Sequence, residues 1–345
     1  MNVEPYALTL AHPLTTAAGT IEEREGFVVT VAHRGERGVG EATPLPGWTE
    51  SRDDCEAALR TARRTAERAD VMTALDELSE TPAARHALSL AVLDARSRAT
   101  GVPLYRHLGG TSAVSGVPVN ATVGDGSPAE TATEANDAVG DGFRTLKVKV
   151  GARSVAADVD RLEAVRAAVG GEVDLRADAN AAWTPAQAHE AFEAFGELGV
   201  EYVEQPLDDD DLSGHAALRG GPVGVALDES LAACGPEAVL AAAAADVLVL
   251  KPMALGGPDR ARVVARRARE RGLDVVVTTT IDAVYARTAA VHLAASLPAV
   301  PACGLATASL LAEDLANDPC RVGDGEITVP EGKGNVPAHS ASTGA

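Results

Sequence analysis

From about residue 117 the apolar and polar positions of the chain repeat with a regular beat. Short β-branched runs end in polar or turn residues, and an alanine-rich stretch of helical period follows each. The runs are Val117–Val123, Thr145–Val150, Val173–Asn180, Glu201–Gln205, Val223–Asp228, Asp246–Lys251, Asp274–Thr279 and Ala302–Ala306, with starts 22 to 28 residues apart. That interval holds one strand, one helix and two short loops. Eight such units predict parallel strands with crossover helices, and closure into a (β/α)8 barrel is the most economical arrangement. An open doubly wound sheet is the alternative, but no GxGxxG follows an early strand.

Residues 1–115 are patterned differently. Ala7–Leu10, Phe27–Ala32 and the stretch toward Gly40–Glu41 predict a small antiparallel sheet, and Arg52–Ala69 and Pro82–Ala99 predict helices. This is an α+β domain placed before the barrel. After the eighth strand, Leu310–Leu315 predicts a short helix and Glu326–Val329 a short strand. The tail from Gly332, rich in Gly, Ser and Ala, predicts a mobile end.

Composition narrows the function classes. Fifty acidic against thirty basic side chains give a net charge of −20. That charge disfavours nucleic acid and anionic membrane surfaces as partners. Acidic excess with scarce lysine is what a salt-rich cytosol would select; stability should then fall in dilute buffer and recover in molar KCl. Cys55, Cys234, Cys303 and Cys320 have no CxxC spacing and read as free thiols of a reducing compartment. No basic, apolar signal segment opens the chain, and the longest apolar run, Ala238 to Leu250, is broken by Asp246 and too short for a bilayer. The expected location is cytoplasmic.

The chain has only four lysines, and three of them, Lys147, Lys149 and Lys251, lie on predicted strands. A guanidinium stays charged at any working pH, whereas an ammonium can be driven to neutrality, so lysines kept where arginine has replaced the others are candidate acids and bases. In a barrel the C-terminal strand ends form the site. The second strand ends Lys147-Val-Lys149, with both lysines on one face about 7 Å apart. The third ends Asp178-Ala-Asn180, the fourth Glu204-Gln205-Pro206, the fifth Asp228-Glu229-Ser230 and the sixth Lys251-Pro252. Five consecutive strands thus present base, acid, acid, acid, base. A charge that closes an apolar strand is costly unless paired or bound to metal. A structural network of lysines neutralising carboxylates is the bland explanation. The five charges in phase favour a site. Asp178, Glu204 and Asp228 can supply three oxygen ligands to one hard cation, and the absence of His and Cys at these ends favours Mg²⁺ (or Mn²⁺) over zinc.

Strands 2 and 6 face each other across an eight-stranded barrel, which places Lys149 opposite Lys251 with the cation between. A small-molecule carboxylate bound there would put its α-carbon between the two amines. One lysine could remove the α-proton while the cation and the other lysine stabilise the enediolate. A free lysine has a pKa near 10.4, so a base working near pH 7.5 must be shifted at a cost of roughly 4 kcal/mol. The like charge of Lys147 beside Lys149 supplies part of that shift.

At these residues the chain resembles the enolase superfamily, in particular its muconate-lactonising subgroup. The matching motifs are the five strand ends and Leu108-Gly109-Gly110 ahead of the barrel. The resemblance runs from Tyr6 to about Asp314 and implies a modified (β/α)8 TIM barrel, residues 116–308, with an N-terminal α+β capping domain, residues 1–115, completed by segment 309–345. It also implies Mg²⁺ on Asp178, Glu204 and Asp228, with Lys149 and Lys251 catalytic and Lys147 beside them.

Within the subgroup, Glu22–Phe27 and Gly40–Trp48 are most similar to o-succinylbenzoate synthases. That likeness implies dehydration of 2-succinyl-6-hydroxy-2,4-cyclohexadiene-1-carboxylate, with Lys149 taking the α-proton and Lys251 facing the enediolate. Arg24, Trp48, Asn180, Thr278 and Thr279 are the candidate substrate contacts, although Pro44, Pro46 and Gly47 could equally shape a turn. N-acylamino acid racemisation or dipeptide epimerisation is the alternative, since the enediolate site is shared. Dipeptide epimerases carry an acidic pair on the eighth strand, where this chain reads Cys303-Gly304-Leu305-Ala306-Thr307.

Overall fold

The computed structural model describes residues 1–16 and 19–336. The N-terminal sheet has the order β1 (Asn2–Thr16), β2 (Gly19–His33), β3 (Glu36–Ala42), antiparallel throughout. Alternation along β2 buries Phe27, Val29 and Val31 in one core with the helices Arg52–Arg68 and Pro82–Thr100. The sheet lies very close to the second helix. A Cβ at Gly38 would fall 2.0 Å from the Ala91 carbonyl, and one at Gly40 would fall 1.9 Å from that of Ala87. Glycine on the strand and alanine every fourth residue on the helix are what allow the approach.

Strand β4 (Gly116–Pro118) follows, and then the parallel strands of the barrel. These are β5 (Ala121–Val123), β6 (Thr145–Lys149), β7 (Asp174–Asp178), β8 (Val200–Glu204), β9 (Gly224–Leu227), β10 (Val247–Leu250) and β11 (Asp274–Val277), hydrogen-bonded in that order. The eighth position is filled by a segment too short to count as a strand. Cys303 pairs with Val119 on one side, and Gly304 pairs with Thr278 on the other. The Cys303 and Gly304 N–H groups donate to the Pro118 and Val277 carbonyls, the preceding Pro301 has no N–H to extend the ladder, and a Cβ at Gly304 would sit 2.7 Å from Thr278 Oγ1. Arg176 reinforces the closure from inside the barrel, where its Nη1 donates to the Ala302 carbonyl at 2.6 Å.

The outer faces of β6 and β7 pack under helices through Leu146, Val148, Leu175 and Ala177. Tyr202, Ala226, Val247, Val249 and Val276 form a separate apolar cluster on the alternate positions of β8 to β11. The ladder register then lines up the chemistry. Lys149 is paired with Asp178, and Asp178 with Glu204.

Three local expectations change. The first predicted strand splits: Gly116–Pro118 leaves the barrel to pair with β13 (Glu326–Thr328), which also pairs with β12 (Val322–Gly323). In place of a helix at Leu310–Leu315 there is one 3₁₀ turn, Ala308–Leu310, because Leu311 bridges to Leu10 and Asp314 is drawn to Arg287. The start of the tail is anchored rather than loose. Asn335 is buried; its backbone N–H donates to Asp94 Oδ1 and its Nδ2 to the Tyr285 carbonyl. The remainder of the tail, residues 337–345, lies outside the described residues.

Candidate active site

Five strand ends carry the charged side chains, and each is carried there by local chemistry. Beyond β6 the chain turns at Gly151, whose N–H donates to Asp158 Oδ2, while Arg161 holds the Lys149 carbonyl at 2.8 Å. Beyond β7 and β8 the backbone enters the left-handed region at Asn180, Ala181 and Gln205. These bends direct the strand ends into the mouth. The Gln205 side chain, fully buried, then ties β8 to the next loop: its Oε1 accepts from the N–H groups of Asp228 and Ser230, and its Nε2 donates to Ser230 Oγ at 2.8 Å.

The charges form two contacting groups, one around Asp178 and Glu204 and one of Asp228 with Lys251. Lys147 Nζ lies 3.0 Å from Asp178 Oδ2 and 3.0 Å from Glu204 Oε2. Lys149 Nζ donates to Asp178 Oδ2 and to Asn180 Oδ1, each at 2.7 Å. Lys251 Nζ donates to Asp228 Oδ2 at 2.6 Å and sits 3.2 Å from the centre of the Trp48 ring. The three carboxylates are buried, whereas the Lys149 side chain keeps 39% of its surface open to the mouth.

Electrostatics separates the carboxylates. Burial disfavours the charge on Asp178, but Lys147 and Lys149 outweigh it and hold its pKa below the ordinary carboxylate range. Burial and the neighbouring Asp178 push Glu204 up. Asp228 is also pushed well up by burial, opposed by Lys251 and assisted by Glu229 and Glu204. Burial likewise opposes charge on Lys147, yet Asp178 and Glu204 hold it well above the usual lysine value. By count, the carboxylates of Asp178, Glu204, Asp228 and Glu229 outnumber the three ammonium groups by one. An all-oxygen donor set with that excess fits a hard divalent cation. Among the described residues no three such groups converge closely enough to form a ready-made cage, and each of the three carboxylates is engaged by a lysine.

The remaining sequence candidates lie at two places. Thr278 donates to the Gly304 carbonyl, and Thr279 exchanges a hydrogen bond with Thr307. Arg24 is buried beneath the loops, and its nitrogens are taken by the carbonyls of Thr43, Pro44 and Ile281. It ties the loop carrying Trp48 to the loop after β11. Two participants were missed as individuals. Gln205 and Glu229 stand inside motifs that were visible, but sequence alone does not reveal that their side chains turn inward.

Residues 130–335 match the family model described as "Enolase C-terminal domain-like". The chain belongs to the enolase superfamily. Residues 2–95 match a second model, "MenC, N-terminal domain". The L-Ala-D/L-Glu epimerase of Bacillus subtilis is 32% identical over 304 residues, 84% of this chain and 82% of that protein. The o-succinylbenzoate synthase of Thermobifida fusca is 43% identical over 207 residues, 59% of this chain and 63% of its own length. Among solved structures, the Enterococcus faecalis dipeptide epimerase, complexed with Mg and a dipeptide, is 28% identical with a TM-score of 0.84. That match covers 96% of this chain and 97% of the other. The capped barrel is thus the fold of a known enzyme superfamily. No described helix is long and apolar enough to cross a membrane.

Proposed function

We propose that this enolase-superfamily chain is an o-succinylbenzoate synthase, dehydrating 2-succinyl-6-hydroxy-2,4-cyclohexadiene-1-carboxylate in menaquinone biosynthesis. The observation that carries the reaction class is the pair of amines from β6 and β10, four strands apart in the barrel, with three buried carboxylates on the strands between. Two likenesses support the substrate: the N-terminal model match and the identity to the Thermobifida enzyme.

In this reading Asp178, Glu204 and Asp228 hold Mg²⁺, with Mn²⁺ as a substitute. When bound, the ion supplies positive charge against the substrate carboxylate. Lys149, the open amine, takes the proton from the carbon next to that carboxylate and returns it to the departing hydroxyl, which leaves as water. Lys251, held between Asp228 and the Trp48 ring, stays protonated and faces the charge that develops on the carboxylate oxygens. Lys147 stays charged between Asp178 and Glu204. Trp48, Asn180, Thr278 and Thr279 line the substrate side, and Arg24 contributes by setting the loops. The net charge and the four free cysteines support a salt-rich cytoplasm as the setting.

A second reading, epimerisation of dipeptides or racemisation of N-acylamino acids, is favoured by the longer alignments to epimerases. Against the dipeptide form, Cys303 to Thr307 offers no carboxylate for a substrate amino group. The test is incubation with Mg²⁺ and each substrate class. A new aromatic ultraviolet chromophore from the cyclohexadiene is expected. A changed optical rotation of L-Ala-L-Glu, with no chromophore from the cyclohexadiene, overturns the proposal.

A further inference from the structure

Glu229 opens the short helix Glu229–Ala233 next to the mouth and touches none of the lysines by hydrogen bond. Its Oε1 accepts from Asn180 Nδ2 at 2.9 Å, and Asn180 Oδ1 accepts from Lys149 Nζ at 2.7 Å. The other carboxylate oxygen, Oε2, is buried and has no hydrogen-bond partner. A buried oxygen left in that state costs stability, so its retention asks for a reason.

The backbone supplies part of it. Asn180 and Ala181 adopt φ of +43° and +62°, a left-handed pair that alanine does not favour. Asp178 Oδ1 accepts the Asn180 N–H and the Gln205 carbonyl accepts that of Ala181, which fixes the bend. The bend places the Asn180 carboxamide between Lys149 and Glu229. A carboxamide can sit there in two ways, with oxygen or with NH₂ toward the amine. A carboxylate only accepts, so Glu229 requires the NH₂ on its own side and thereby the oxygen on Lys149. The reversed amide would aim an N–H at the lysine nitrogen and occupy the direction needed for proton transfer.

We propose that Glu229 is a positioning residue that sets the Asn180 carboxamide, and through it the orientation of the Lys149 amine. Asp178 Oδ2 and Asn180 Oδ1 each take one N–H, which leaves one tetrahedral direction of Nζ for the substrate on a side chain that is 39% exposed. The inference rests on the role given above to Lys149.

The test compares E229A with E229Q in the full chain. The first readout needs no substrate: the ¹H–¹⁵N signals of the Asn180 carboxamide, assigned by their loss in N180D. In the native protein one amide proton is expected downfield and slow to exchange. E229Q keeps this signal, because its amide oxygen can still accept, and E229A returns it to the position of a free amide. The second readout is turnover of the cyclohexadiene carboxylate. E229A is expected to lose about tenfold or more in kcat with KM nearly unchanged, and E229Q to stay within about threefold. Mg²⁺ affinity, from calorimetric titration, is expected to be the same in both. Unaltered Asn180 signals in E229A overturn the inference. Equal impairment of E229A and E229Q also overturns it, by making charge rather than accepting geometry the cause, as does a tenfold fall in Mg²⁺ affinity. A native protein that turns over none of the substrates sinks the proposed function instead, and the amide signal still decides this inference.

Discussion

Among the buried charges of the described residues, one group at the barrel mouth and one where the N-terminal sheet meets the barrel can be set side by side. Both contain a carboxylate pushed upward by burial: Glu204 at the mouth, and Glu41 at the junction, to about 7. Their partners differ. Glu41 accepts from the N–H groups of Ala283 (2.8 Å) and Ala286 (3.0 Å), from Thr43 Oγ1 and from the Tyr6 hydroxyl. It serves as the missing cap of the helix Val284–Ser296, whose own N-cap residue, Ala283, supplies none. Every partner is fixed backbone or a packed hydroxyl. At the mouth the acceptors meet long ammonium side chains that can swing away, and one of these is open to solvent. Burial of an acid therefore does not mark a site; burial with movable, proton-exchanging partners does.

The largest contrast should appear on removing one member from each group. Lys149→Ala is expected to lower turnover by at least about 10³-fold, and Lys149→Arg nearly as much, since a guanidinium cannot release its proton at working pH. The unfolding midpoint should barely move, because the side chain is partly exposed. Retained turnover in either variant removes Lys149 from its role.

At the junction the outcome should be reversed. Glu41→Ala leaves two N–H groups of a helix start and one hydroxyl of the Tyr6–Thr43 pair without an acceptor in a closed interior. The expected loss is about 3 kcal/mol or more of folding stability. It should be read as a lower denaturant midpoint, and activity below the melting range should be largely kept. A variant that is stable but inactive would mean the junction is part of the catalytic machinery, and the contrast would fail.

Much of this was legible before any coordinates. The strand ends could be read because catalytic barrels concentrate charge at one end of an otherwise apolar run, and the run makes the charge conspicuous. Register did the rest, pairing Lys149, Asp178 and Glu204 across three neighbouring strands. Arg24 was harder. Its position near the substrate loops was legible, but three carbonyls from distant segments consume its guanidinium, and backbone acceptors carry no sequence signature. Glu41 was hidden for the same reason: its partners are N–H groups more than 240 residues away. The eighth position closes the barrel through single bridges at Cys303 and Gly304 rather than a full strand, a shortness the apolar run does not announce.

The smallest expected effect sharpens the comparison through pH. His292 lies wholly buried on the same helix that Glu41 caps, stacked on Tyr105 with ring centres 6.0 Å apart. Its Nε2 donates to the Asn335 carbonyl at 2.9 Å and its Nδ1 accepts the Tyr105 N–H at 3.3 Å, so the neutral ring satisfies both nitrogens. Burial lowers its pKa from 6.5 to about 4, opposed only by the bond to Asn335. The folded state thus resists the proton that the unfolded chain accepts. This contribution is fully present above pH 6.5 and is lost as pH falls toward 4, at most about 3 kcal/mol. Glu41 acts with the opposite sign, since its raised pKa makes the folded state the better proton acceptor; its share declines as pH rises from 4.5 through about 7. The two offset each other over much of one pH window. Denaturant midpoints measured from pH 4 to 7 should therefore fall more steeply with acid in Glu41→Gln than in the native chain, and less steeply in His292→Gln. Parallel curves for all three proteins would mean that neither group changes its proton occupancy on folding.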